Sequence, residues 1–311
     1  DPRIVPYQSL ALDPASMVLH YGQAVFEGLK AYKGKGGEIK LFRPQKNFQR
    51  LNASNERLCV PLLDEGFALG ALKELLRVES AWIPAAEGTS LYIRPFVIAT
   101  DPYLGVRPSH RYLFIMILSP VGNYYPEGLN PVKIYVESDY VRAVRGGLGF
   151  TKAAANYAAS LKSQEKAKQL GYTQVLWLDG VHRKYIEEVG TMNVFFKIAG
   201  KVITPELQGS ILPGVTRDSV IELLKKMGAA VEERPITIDE VVGAYEAGTL
   251  DEAFGTGTAA VISPIGELVM DDGAMRLSGG KIGPLSQRLY DEITGIQYGT
   301  AEDPFSWMVT V

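Results

Sequence analysis

The sequence predicts an α/β protein with mixed sheets, built as two units. Three observations carry that expectation. Short runs rich in Val, Ile, Leu, Tyr and Phe recur along the chain, interrupted by fewer stretches with helical spacing. The chain has 311 residues, 46% of them hydrophobic, enough to fill two cores. Residues 120–131 (PVGNYYPEGLNP) concentrate Pro, Gly and Asn and mark a boundary. A smaller α/β unit is therefore expected over 1–120, a connecting loop over 121–131 and a larger unit over 132–311.

The elements follow in order. Ile39 to Phe42 reads as a short strand. Pro44 opens a helix through Arg57, with Phe48, Leu51 and Leu58 at helical spacing. Asp64 caps a second helix whose apolar face is Phe67, Leu72, Leu75, Leu76 and Val78. Ser90 to Ala99 and Tyr112 to Leu118 are strands. The second, YLFIMIL, is the longest apolar run and is expected to be buried; in the first, Tyr92 and Arg94 share a face. Val132–Glu137, Gln174–Leu178, Tyr185–Val189, Val194–Ile198 and Val202–Thr204 are further strands. A helix after Pro213-Gly214 presents Val220, Leu223, Leu224 and Met227 inward and ends at Lys225-Lys226 before Gly228. Thr237 and Glu240 have the spacing of a capping box.

Composition excludes several function classes. A net charge of −3 leaves no electrostatic footprint for nucleic acid or an anionic membrane. No apolar run reaches the length of a membrane span, and no signal peptide is apparent, so a cytoplasmic location is expected. The chain begins at Asp1 without a methionine, and residues upstream are expected to be missing. One cysteine, Cys59, rules out an internal disulfide; lying in Leu58-Cys59-Val60, it reads as core. The three histidines have no metal-ligand spacing.

The chemistry centres on RGGLGFTKAAANYAASL, residues 145–161. Lys152 lies between glycines and alanines, with nothing nearby in sequence to keep its ammonium wet. It precedes a helix with Leu161 on its inner face and Gly171 as its stop. Desolvation and the positive end of the helix dipole would lower its pKa and make a nucleophilic amine. On this stretch alone, an ordinary helix-start lysine is the commoner reading. In Lys184–Val189, period-two alternation puts Glu188 with Ile186 and Glu187 with Tyr185, making Glu188 the better inward carboxylate. The Pro213-Gly214-Val215-Thr216 turn opens a helix and suits an anion. Gly255 to Ala260 follows the dinucleotide spacing but leads into VISPI, a strand-like run, so a turn whose N–H and hydroxyl groups hold a carboxylate or phosphate is the alternative. A desolvated lysine, an inward glutamate and an anion-ready helix start together suit pyridoxal 5'-phosphate.

HYGQAVFEGLKAY, FRPQKNFQRLNAS, SLYIRPF, KAAANY, EEVGTMNVFF, GSILPGVTR and FGTGTAAVISP, in order through nearly the whole chain, resemble the branched-chain amino acid aminotransferases. The resemblance implies the two-domain fold type IV architecture, with the larger C-terminal domain binding the cofactor, the active site between the domains, and a homodimer or larger assembly. It implies transamination between leucine, isoleucine or valine and 2-oxoglutarate, giving branched-chain 2-oxo acids and L-glutamate by a ping-pong route. Lys152 resembles the Schiff-base lysine, Glu188 the carboxylate at the pyridine nitrogen, and Tyr157 the hydroxyl near the cofactor's phenolic oxygen. Arg50, Val215, Thr216 and Thr258 resemble the phosphate cup. Tyr21, Phe26, Tyr92, Arg94, Tyr124, Thr191 and Ala259 resemble the substrate pocket.

The sequence departs from the family pattern in three places. Ala153, Ala154 and Ala155 stand where one or two glycines are usual, and their methyls are expected to narrow the turn. Ala260 and Ser263 replace the cysteine pair of mammalian relatives, so no thiol switch is expected. Pocket residues from the segment ahead of Asp1 are missing. Two other readings stay open: a D-amino acid transaminase or aminodeoxychorismate lyase on the same fold, and a non-catalytic small-molecule binding protein.

Overall fold

The computed structural model describes residues 1–34, 36–122, 129–271 and 273–311. Two sheets organise the chain. The first comprises β1 (Ala24–Phe26), β2 (Leu29–Lys33), β3 (Ile39–Phe42), β4 (Ser90–Ala99) and β5 (Tyr112–Val121). Its pairings are antiparallel: β5 runs along one edge of β4, β1 and β2 share the other, and β3 follows β2. After the short α1 (Val18–Tyr21), α2 (Pro44–Arg57) and α3 (Glu65–Val78) cover one face. Leu29, Ala31, Leu91 and Ile93 pack there with Phe48, Leu51, Leu72 and Leu76. Because side chains alternate across a strand, Lys30, Tyr92 and Arg94 project from the opposite face; Lys30 and Tyr92 stand directly across from each other.

The second sheet holds β6 (Val132–Val136), β7 (Gln174–Leu178), β8 (Ile186–Val189), β9 (Asn193–Ile198), β10 (Lys201–Thr204), β11 (Val231–Glu233), β12 (Leu250–Gly257), β13 (Val261–Met270) and β14 (Gly273–Arg276). Its order is β11-β10-β9-β12-β13-β6-β7-β8, with β14 on β13, and β6 lies parallel to both neighbours. Val189 and Met192 exchange backbone hydrogen bonds, each 2.9 Å, so β8 turns directly into β9 and the sheet curls. Of the helices α4 (Ala154–Gln169), α5 (Val215–Lys226), α6 (Ile238–Glu246) and α7 (Pro284–Tyr298), α5 and α7 bury Val220, Leu224, Leu289 and Ile293 with Phe195 and Phe254 of the sheet.

Locally coded boundaries appear where expected. The helix from Pro44 to Arg57 is α2. Asp64 accepts the Phe67 N–H at 2.7 Å. Thr237 accepts the Glu240 N–H at 3.0 Å, but the Glu240 carboxylate turns to Arg234, so only half of the capping box forms. Gly228, at φ +74°, follows α5 in the left-handed conformation that glycine adopts without strain.

Several expectations are corrected. The first sheet's β5 ends at Val121 and the second sheet's β6 begins at Val132, with residues 123–128 of the expected connecting loop outside the described ones; not everything from 132 onward belongs to the second sheet, because β15 (Met308–Thr310) returns to pair with β3. Tyr112–Leu118 is not buried, because β5 is an edge strand; Leu113 and Ile117 are 40% and 39% exposed. Phe67, Val78 and Leu161 are exposed, and α4 instead buries Asn156, Ser160, Ser163 and Ala167. Cys59 is exposed rather than core, at φ 55° just past the end of α2. Of the three alanines after Lys152, Ala153 is buried but Ala155 is exposed, so the last methyl does not crowd the turn.

Candidate active site

A cavity of about 200 Å³ lies between the face of the first sheet that carries Tyr92 and Arg94 and the turns of the second. Lys152 enters it from the residue before the α4 cap. Its backbone is held on both sides: its N–H donates to Ser54 Oγ at 3.0 Å, and its carbonyl accepts the Phe26 N–H at 3.0 Å. Asn156, in the first turn of α4, donates to the Leu148 and Thr151 carbonyls at 2.8 and 2.9 Å and fixes the approach to the helix. Lys152 Nζ lies 2.8 Å from the Tyr157 hydroxyl and 5.0 Å from the centre of the Phe26 ring. Desolvation, with the neighbouring Arg50 charge, lowers its pKa to about 8. Desolvation and the Glu188 charge push the Tyr157 phenol up to about 12, so it stays protonated at neutral pH.

Glu188 sits behind this pair on β8. It is 3% exposed; one carboxylate oxygen accepts the Leu212 N–H at 2.7 Å and lies 3.2 Å from Arg142. Burial raises its pKa, and Arg142 and the Leu212 N–H oppose the rise. Glu187 is also buried, at 7%. It accepts a hydrogen bond from Ser210 and lines a separate cavity on the other side of β8. Alternation thus sends the two carboxylates to opposite sides as expected, but neither side is solvent.

The anion-ready elements converge on the same cavity. Gly214 caps α5, leaving the Val215 and Thr216 amides at the helix start without helical partners. A side chain at Gly214 would displace Asn193, since an added Cβ would lie 2.0 Å from Asn193 Oδ1. Residues 258–260 link β12 to β13, and Thr258, Ala259 and Thr256 line the wall. The Thr256 hydroxyl is buried without a hydrogen-bond partner, as fits a wall built around a polar ligand. Arg50 is 8% exposed and bidentate to Glu27 at 2.7 and 2.9 Å, with its third nitrogen 3.0 Å from the Pro213 carbonyl. Opposite, Arg94 donates to the Tyr92 hydroxyl at 2.8 Å and lies 4.6 Å from the Phe26 ring centre. Gly28 leaves room for that hydroxyl, since an added Cβ would come within 2.2 Å of it.

Phe26, Arg50, Tyr92, Arg94, Lys152, Tyr157, Thr191, Val215, Thr216, Thr258 and Ala259 therefore share one cavity, with Glu188 beside it. Tyr21 is not among them. It is 43% exposed and donates to the Leu104 carbonyl. Tyr124 lies outside the described residues. Sequence reasoning missed Glu27 and Lys30, both buried. The available signal was two charges inside the otherwise apolar run AVFEGLKAY.

The donor set fits a phosphate-bearing aldehyde cofactor: a low-pKa amine, a buried carboxylate and a helix start converge on one space. Known proteins agree. The aminotransferase class IV family model matches residues 24–268. "Branched-chain-amino-acid aminotransferase 2" of Bacillus subtilis is 60% identical over 311 residues, covering 100% of this chain and 86% of that protein. The branched-chain aminotransferase of Thermoproteus uzoniensis, solved with norvaline, superposes with a TM-score of 0.85 at 26% identity, covering 99% of this chain and 96% of that one. The branched-chain amino acid aminotransferase of Thermobaculum terrenum, solved in its PLP-form, gives a TM-score of 0.81 at 26% identity, covering 99% of this chain and 95% of that one.

Proposed function

The chain belongs to the class IV aminotransferases, among the branched-chain amino acid aminotransferases, and from that premise we propose a role for each residue of its site. The reaction is pyridoxal-phosphate-dependent transamination of leucine, isoleucine and valine, with 2-oxoglutarate as the usual acceptor and L-glutamate as its product. The cofactor supplies the carbon that accepts the amino group and the ring that takes up the electrons left when the Cα–H bond breaks. Lys152 is the amine that holds the cofactor and the base that moves the proton from the substrate Cα. Tyr157 keeps that amine oriented by its 2.8 Å hydrogen bond. Glu188 holds a proton at the ring nitrogen. The Val215 and Thr216 amides, Arg50 and Thr258 seat the phosphate. Phe26, Tyr92, Thr191 and Ala259 wall the substrate.

The observation that supports this reading best is the desolvated Lys152 ammonium in a cavity shared with the free amides of α5. The test is substrate choice. Cofactor-loaded protein should form glutamate from L-leucine and 2-oxoglutarate and should leave D-alanine unreacted. Turnover of D-alanine without leucine activity would replace the reading.

One pocket must accept both an isobutyl and a carboxyethyl side chain. Arg94 suits this: its guanidinium lies over the Phe26 ring at 4.6 Å, and its Nε is buried without a partner. Arg94→Met should cost glutamate and 2-oxoglutarate about 10- to 100-fold more in kcat/KM than leucine. Equal losses in the two half-reactions would make Arg94 a structural residue.

A homodimer is the assembly this chain favours, because the exposed apolar residues Leu113 and Ile117 of β5 have no cover within the chain among the described residues. Tyr21 keeps a substrate role only in such a dimer, by reaching the partner's cavity. Sedimentation should give about twice the 34.0 kDa chain mass, and a monomer at micromolar concentration would remove Tyr21 from the site. No helix among the described residues is long and apolar enough to cross a membrane; a cytoplasmic location is the simplest reading for an enzyme of small soluble substrates.

A further inference from the structure

A second cavity, of about 470 Å³, lies behind β8 on the side away from Glu188. Its size is within the roughly 300–1,000 Å³ of small-molecule sites. No residue that lines it also lines the candidate active site. Glu187 brings to it a charge that the roles above leave unused. The residue is 7% exposed. One carboxylate oxygen accepts the Ser210 hydroxyl; the other is buried with no hydrogen-bond partner among the described residues. Desolvation raises the Glu187 pKa in spite of Ser210 and the Arg142 charge, as expected of a carboxylate with no cation in contact. Burying a half-satisfied carboxylate is costly, and a strand that needed only packing would place an apolar residue there.

The neighbouring groups define what could satisfy it. Gln208 lines the same cavity and keeps a buried amide oxygen, also without a partner. Asp179 lines it too, but its carboxylate is already filled. It accepts the N–H groups of Val181, His182, Lys184 and Tyr185 at 3.0, 2.7, 3.0 and 2.8 Å and so holds the turn after β7. Arg145 and His182 are exposed to solvent, and neither is paired with Glu187 among the described residues. Val144, Val181 and Ile211 supply an apolar wall. The unmet atoms are therefore acceptors, one of them on a carboxylate, beside aliphatic side chains. Their complement is a cation with several N–H donors on a short hydrocarbon body.

We propose that this cavity is a second ligand site, taking a small organic cation, an alkyl ammonium or alkyl guanidinium, whose N–H groups reach Glu187 and Gln208. The site stands apart from the transamination reading, because no step of that reaction uses it.

Calorimetry on the cofactor-loaded protein tests this with 3-methylbutylguanidine, which, unlike a primary amine, does not condense with an aldehyde. The control is 3-methylbutylurea, which has the same shape and no charge. Wild type should bind one guanidine per chain with a Kd below about 1 mM, within what roughly nine heavy atoms can supply. The urea should bind at least about tenfold more weakly, the scale of a lost charge-assisted contact. Glu187→Gln keeps an acceptor for Ser210 and removes the charge. It should weaken the guanidine at least about tenfold and leave the urea within about twofold. If Glu187→Gln does not fold, Gln208→Leu, placed outside the helices and strands, should weaken the guanidine about threefold or more. Guanidine binding that neither variant changes would lie elsewhere on the protein and overturns the inference. Equal affinity of wild type for the guanidine and the urea, or no guanidine binding up to about 10 mM, overturns it as well.

Discussion

Lys152→Ala is expected to lower leucine transamination at least about 10⁴-fold, the upper end of what one positioned acid–base group contributes, because one residue both holds the cofactor and moves the proton. The protein should remain folded. The bonds that place this residue are made by its backbone, to Ser54 Oγ and the Phe26 N–H, and alanine keeps both. Removing the ammonium also relieves a charge that burial and Arg50 disfavour. Cofactor affinity should fall less than the rate, since Arg50 and the α5 amides remain. Single-turnover mixing with leucine, beside a thermal melt, checks both halves. Near wild-type turnover in a folded Lys152→Ala protein would end the aminotransferase reading of this site.

Glu188→Ala should lower kcat about 100- to 1,000-fold, the range seen when one preorganised electrostatic group is removed from a site. Stability will also suffer, because Arg142 would be left buried beside an empty position. Glu188→Gln separates the effects. It keeps the shape and an acceptor for the Leu212 N–H, and removes only the charge that holds a proton at the ring nitrogen. Its rate loss should therefore approach that of Glu188→Ala with a smaller loss of melting temperature. Glu187→Gln is the matched control on the other side of β8, where the carboxylate faces Ser210. A large rate loss in Glu187→Gln with none in Glu188→Gln would reverse the assignment.

Much of this fold is legible in local sequence. The bounds of α2 follow from Pro44 and the helical spacing after it, the cap of α3 from Asp64, and the end of α5 from Lys225-Lys226-Gly228. Each depends on atoms within about one helical turn, where side-chain chemistry acts directly on backbone donors and acceptors. The candidate site was legible in the same way at Lys152 and at Gly214 to Thr216, as a lysine among small residues and a helix start preceded by glycine. Where neighbours across the fold decide, local reading failed. An apolar run such as Tyr112–Leu118 cannot say whether its strand lies at a centre or an edge. Leu161 points outward because α4 packs inward through Asn156, Ser160, Ser163 and Ala167.

The sequence by itself determined the α/β class, the main helix boundaries, the lysine at the start of α4, and the family, because these are written in spacings of a few residues and in motifs kept in order. Only the tertiary structure decided which charges meet. It joined Arg50 to Glu27, placed Arg142 on Glu188, set Lys30 behind the Ala259 carbonyl across 229 positions of chain, left Tyr21 outside the cavity, and returned β15 to the first sheet. The physical reason is range. Capping, turns and periodicity act within a turn or a strand, whereas the cost of a buried charge depends on every group that surrounds it, and those groups come from elements far apart in sequence.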